Sequence, residues 1–180
     1  MGMQFTFDKT DPTSFPFVAT MISALIERQG SGGAELLIQT RVNMKDKFYQ
    51  GTVEIPAGHI LKFENVYDAL KREVLEETGL TITEIINDEQ SAVASVREDD
   101  AAFVFKPFMC QQYLRGPGWS WIGFVFRCRA EGELKEEAGE TAKQQWIKLP
   151  DLKKMIDETP EKFFTLQLPV LKYYVEYIEK

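Results

Sequence analysis

Histidine occurs once and cysteine twice in this chain of 180 residues. With His59 as the sole imidazole, a zinc site built on a histidine pair is excluded, and a Ser-His-Asp triad would have to use that one residue. Cys110 and Cys128 show no metal-ligand spacing, so both read as reduced interior residues of a cytoplasmic protein. No apolar run reaches the roughly eighteen residues of a membrane span, and no basic region leads into an apolar core at the N-terminus, so neither membrane insertion nor export is expected. Positive charge is also short. Twenty-one basic residues face twenty-eight acidic ones, a net charge of −7, which opposes binding to nucleic-acid backbones and anionic lipid. A small phosphate-bearing substrate would then need a metal ion to screen it. Repeats, low-complexity tracts and linkers are missing, and the length suits one domain over 1–180, with residues 1–16 as an extended arm.

What is present is concentrated between Gly58 and Leu80, GHILKFENVYDALKREVLEETGL. Asn65 is a good helix N-cap with Asp68 three positions on, and Gly79 supplies a left-handed terminating residue, so the spacing predicts a helix from about Val66 to Thr78. Val66, Ala69 and Leu70 mark an inward stripe that continues onto Glu73, Glu76 and Glu77. These three carboxylates lie within a wedge of about 100° at 3.6 residues per turn, near the negative end of the helix dipole. Unpaired, they would repel one another. A divalent cation resolves the conflict, and hard oxygen ligands suit Mg2+ or Mn2+. Arg72 flanks the wedge and can orient a glutamate through a charge-assisted hydrogen bond, while Glu64 is placed to bind backbone groups or a bridging water.

Elsewhere the chain reads as strands around that helix. Phe17–Glu27 and Ala34–Val42 form two strands about a QGSGG turn, and Thr52–Gly58 forms a short one that Pro56 stops where the helix unit begins. LTITEIIND and SAVASV follow, then two runs, 101–114 and 120–130, joined by RGPG as an antiparallel pair. Tyr113, Trp119 and Trp121 flank that turn and either pack in the core or stack on a base. Glu131–Gln145 is an acidic loop before a last strand at 144–149. Helices start at 150, 160 and 168–169, the last packing Val170, Leu171, Tyr174, Val175 and Ile178 on the sheet. Arg41, at a strand end, is either a phosphate contact or a solvated residue. The same two readings hold for His59.

From Gly58 the fixed residues Glu64, Arg72, Glu73, Val74, Glu76, Glu77, Gly79 and Leu80 follow at the spacing G-x5-E-x7-R-E-U-x-E-E-x-G-U, which resembles the box of the Nudix hydrolases at every specified position. The resemblance implies an α/β fold, the Nudix-type α/β/α sandwich with a mixed β-sheet, over nearly the whole chain. It also implies a metal-dependent hydrolase of nucleoside diphosphates linked to a further group X. The carbonyl of Ala57, just before the box glycine, would join Glu73, Glu76 and Glu77 as a metal ligand. A glutamate from the loop before the late tryptophan strand would act as general base, which points to Glu140 ahead of Glu137 or a box glutamate. Glu136 in that loop, and Glu98, Asp99 and Asp100 in another, are further candidates. EIPAG before the box resembles ADP-ribose and nucleotide-sugar hydrolases, yet no proline stands near Ser95 as it often does in them. Nucleoside triphosphates, oxidised ones included, are the second choice, and a non-catalytic nucleotide-binding module is the third. The partner expected is a small nucleoside diphosphate derivative, not nucleic acid or membrane, with a homodimer left open.

Overall fold

Five consecutive buried residues, Ile22–Ile26, make the first strand central rather than half-solvated, because only a strand covered on both faces is apolar without alternation. The protein is described by a computed structural model over residues 19–42, 47–87, 93–94, 102–115, 119–135, 137–138 and 141–178. In that structure β1 (Ala19–Gly30) pairs antiparallel with β2 (Gly33–Arg41) and parallel with β9 (Trp119–Glu131). The intervening strands are β3 (Val53–Glu54), β4 (Ala57–His59), β5 (Thr81–Ile85), β6 (Val93–Ala94), β7 (Ala102–Phe103) and β8 (Met109–Arg115); β10 (Glu137–Ala138) and β11 (Thr141–Lys148) follow. Among the described residues nine strands form one mixed sheet, ordered β10-β11-β2-β1-β9-β5, with β3 on β2, β4 on β1 and β8 on β9, and β6–β7 form a separate ribbon.

The side-chain alternation of the central strands sorts the helices into two layers. Ile22, Ala24, Ile26 and Leu37 pack with Val66, Ala69, Leu70 and Val74 of α1 (Val66–Thr78). Leu25, Leu36 and Ile38 face the other way, onto Leu152 and Ile156 of α2 (Leu149–Glu158) and Val170, Leu171, Tyr174 and Val175 of α3 (Leu168–Ile178). The sheet is thus covered on both faces, the expected α/β/α arrangement.

The sheet also forks. Residues 21–23 of β1 bond to β4, whereas residues 27–30 bond to β2. Through that fork runs the segment leading into the box, and it is not one strand as the sequence suggested. β3 leaves β2 at Glu54, Pro56 lacks the N–H that a further ladder bond would need, and β4 resumes pairing on β1 at Ala57. Buried Ile55 is left between ladders, and Gln167 supplies its partners: Oε1 accepts from Ile55 N at 2.7 Å and Nε2 donates to Ile55 O at 3.1 Å.

Three other expectations shift. The run 101–114 is broken: β7 leaves for the separate ribbon, and only β8 makes the hairpin with β9. The last strand begins at Thr141, three residues early, so the acidic stretch 131–145 is partly a β10–β11 hairpin. The helix start at Pro160 yields a single 3-10 turn, Pro160–Lys162. The arm 1–16 and the carboxylates Glu98, Asp99, Asp100, Glu136 and Glu140 lie outside the described residues, as does the Glu137 side chain. Both Cys110 and Cys128 are free thiols, the first exposed rather than interior.

Candidate active site

Helix α1 is built as its sequence dictates. Asn65 Oδ1 accepts from the N–H groups of Tyr67 and Asp68 at 2.9 and 3.0 Å, and Gly79, at φ 81°, closes the last turn onto Leu75 O. The C-terminal carbonyls take a cation from outside the helix, since Lys135 Nζ donates to Leu75 O at 3.0 Å.

Arg72 organises the first half of the site. Its Nε and Nη2 grip Glu64 at 2.7 and 2.9 Å, Nη1 reaches Glu73 at 2.7 Å and Glu76 at 3.3 Å, and Nη2 also meets His59 O at 2.9 Å. Glu64 in turn accepts from Leu61 N, and the paired guanidinium holds its carboxyl down at about 2. Glu73 lies against Gly58, where any Cβ would overlap its carboxylate, so the box glycine serves close approach. Glu76 shares Arg72 Nη1 with Glu73 but lies nearer solvent, its side chain 60% exposed while those of Glu64 and Glu73 are 14% exposed.

Glu77 occupies the fork. Oε2 accepts from Gln39 Nε2 at 2.9 Å and from Ala57 N at 3.0 Å, and its main-chain carbonyl accepts from Gln144 Nε2 at 2.8 Å. Burial pushes its carboxyl up to about 8 against the two donors, with Glu54 and Glu73 adding like charge. Among the described residues, no three acidic, histidine or cysteine side chains already converge on one point. The donor set nevertheless fits a divalent cation. Carboxylates crowd Ala57 and Gly58, and the like charge between Glu54, Glu73 and Glu77 is the kind a hard cation relieves.

Beside this cluster opens a cleft. It is lined by Tyr113 and Trp121, edge to face at 6.2 Å between ring centres, together with Phe164, Leu166, Gln167, Met21, Arg41, Glu54, Ala57 and His59. Tyr113 is buried and its hydroxyl is pushed up to about 12, mainly by that burial. Both substrate-binding candidates, Arg41 and His59, therefore line the same cleft. Arg41 meets it as one half of an ion pair with buried Glu54, at 3.2 Å, and lies over the Phe164 ring at 5.1 Å. Sequence reasoning missed Gln39, Glu54, Gln144 and Gln167. Glu54 alone left a local trace, as a single acid in an otherwise apolar strand ahead of the box.

The family model described as NUDIX domain matches residues 18–167. An 8-oxo-dGTP diphosphatase from Buchnera aphidicola is 40% identical over 52 residues, which is 28% of this chain and 42% of that protein. The match therefore spans less than half of that relative. Among solved structures, a MutT protein from Methanosarcina mazei superposes with a TM-score of 0.60 at 18% identity over 91% of this chain and 96% of its own. The NUDIX domain of Shewanella oneidensis NrtR, complexed with ADP ribose, gives 0.61 at 15% identity over 94% of each chain. At those identities the likeness is one of fold.

Proposed function

The chain belongs to the Nudix hydrolase family, and from that premise we propose that it is a Mg2+- or Mn2+-dependent pyrophosphohydrolase. Its substrate is a nucleoside diphosphate linked to X, of the ADP-ribose or nucleotide-sugar type, and its products are a nucleoside monophosphate and phospho-X. The observation carrying this reading is the set of Glu73, Glu77 and the Ala57–Gly58 backbone beside an aromatic cleft, with Arg72 fixing Glu73 from behind. Glu73, Glu76, Glu77 and the Ala57 carbonyl would hold the cation, which when bound would neutralise the diphosphate. Arg72 keeps Glu73 and Glu76 oriented. Glu140 takes the proton of the water that attacks phosphorus, and the bridging oxygen leaves with the second product. Arg41 and His59 contact the substrate in the cleft. Tyr113 and Trp121 offer a wall for a planar group. The two free thiols and the net charge of −7 support a cytoplasmic protein acting on small molecules rather than on nucleic acid.

One observation favours a second substrate class. The 52-residue match to an 8-oxo-dGTP diphosphatase supports nucleoside triphosphates, oxidised ones included. A panel of ADP-ribose, nucleotide sugars, dinucleoside polyphosphates and nucleoside triphosphates, assayed with each metal, separates the readings. Monophosphate from the first two classes is expected; pyrophosphate from triphosphates alone selects the alternative. No metal-dependent turnover of any diphosphate would leave a binding module.

A further inference from the structure

Glu77 is held by two glutamines on neighbouring strands, and an irregularity in the sheet brings them together. Ala142 pairs with Thr40 and Gln145 with Ile38, so Lys143 and Gln144 together stand opposite the single residue Gln39. This is a β-bulge, and Lys143 takes up its extra length at φ 54°, in the left-handed region that lysine seldom enters. Such a bulge re-aims a side chain. Here the re-aimed side chain is Gln144, whose Nε2 reaches the Glu77 carbonyl at 2.8 Å while Gln39 Nε2 reaches the Glu77 carboxylate at 2.9 Å.

Both amides also leave their other end unsatisfied. Among the described residues, Gln39 Oε1 and Gln144 Oε1 are buried and accept no hydrogen bond. Turning Gln144 round would set its oxygen against the Glu77 main-chain oxygen, and turning Gln39 would do the same against the ionised Glu77 carboxylate, the form that a cation needs. A fold that twice tolerates a buried orphan acceptor to present N–H groups to one glutamate is holding that glutamate in place, since such an acceptor is otherwise unfavourable. The bonds from Gln39 and Ala57 end on the same oxygen of Glu77, Oε2.

We infer that Gln39 and Gln144, set opposite one another by the β11 bulge, are positioning residues that fix Glu77 for cation binding. This rests on the reading of Glu77 as a metal ligand. Partners one step behind a ligating carboxylate usually change metal affinity by about ten- to a hundredfold. The test is Mn2+ binding by electron paramagnetic resonance on Gln39→Met, Gln144→Met and Glu77→Gln, with circular dichroism and melting temperature taken without metal. Methionine keeps the volume and removes the amide. The expected result is an Mn2+ affinity at least about tenfold weaker in Q39M, with a smaller loss in Q144M, and metal-free melting close to that of the parent. Excess Mn2+ should restore turnover in Q39M, which damage to the fold would not allow. Q39M binding Mn2+ as the parent does, beside an E77Q that has lost it, overturns the inference alone. An E77Q that binds normally overturns the ligand reading beneath it. If Q39M melts early, Q144M, farther from the carboxylate, carries the comparison, and unchanged affinity there counts against the clamp.

Discussion

Arg72 and Glu64 meet in a two-pronged ion pair, with Nε to Oε1 at 2.7 Å and Nη2 to Oε2 at 2.9 Å. The fork geometry uses the planar guanidinium fully and leaves Nη1 for Glu73 and Glu76. Glu64 is thus the anchor through which the box arginine is aimed.

That anchor gives the protein an acid-sensitive element. Glu64 has an ordinary value of 4.5 and a folded value of about 2, so the unfolded chain takes up the proton first. The stabilisation is whole above about pH 4.5 and is lost as pH falls towards 2. Glu64→Gln should therefore melt below the parent at pH 6, with the gap closing as pH approaches 2. A gap that stays constant over that range would show that the pair contributes nothing through its charge.

Gly58→Ala tests the close approach at the box. The added Cβ would overlap the Glu73 carboxylate and push it out of place. Turnover should fall by about a hundredfold, the scale of an ångström-sized misplacement, with a smaller change in melting temperature. Retention of full rate would mean that Glu73 is not needed where it lies.

Glu140→Gln addresses the general base. Loss of a base should lower turnover by about a hundredfold or more with little change in substrate affinity. An unaltered rate, beside a collapse in Glu137→Gln or Glu73→Gln, would move the role to the residue that failed.

Chelation separates a catalytic ion from a structural one. The helix is capped by Asn65 and Gly79 and both cores are built of side chains alone, so EDTA should leave the far-ultraviolet spectrum intact and lower the melting temperature only by the lost binding. Outright unfolding would assign the ion to the fold.

The parts of the molecule that were legible in sequence are those written in short-range patterns. Asn65 and Gly79 bound α1 because caps act within a turn, and RGPG announced the β8–β9 hairpin because turn chemistry is local. The start of β11 was hidden. Its first residues lie among acids and carry a bulge, which breaks the two-residue period a strand is read by. Gln39, Gln144 and Gln167 were invisible for another reason. Their partners lie 38, 67 and 112 positions away, and an amide looks alike in sequence whether it meets water or a buried carboxylate. The depth of the three box glutamates was not legible either, since Glu76 is exposed while Glu73 is largely covered. Helical periodicity gives direction around the axis, whereas exposure depends on what other elements cover each position.

The hydrogen bonds between Gln167 and Ile55 bear on when the site can exist during synthesis. Ile55 leads directly into Ala57 and the box, yet its N–H and C=O are satisfied by a side chain 112 residues later. The box, α1 and the fork around them have been made by the ribosome long before that glutamine emerges. Until it does, the approach to the box holds a buried peptide unit without partners, which a nascent chain avoids by keeping that stretch in water. The approach to the box therefore closes late, and a chain cut between Leu80 and Gln167 would carry the whole box motif with the Ile55 peptide groups unpartnered.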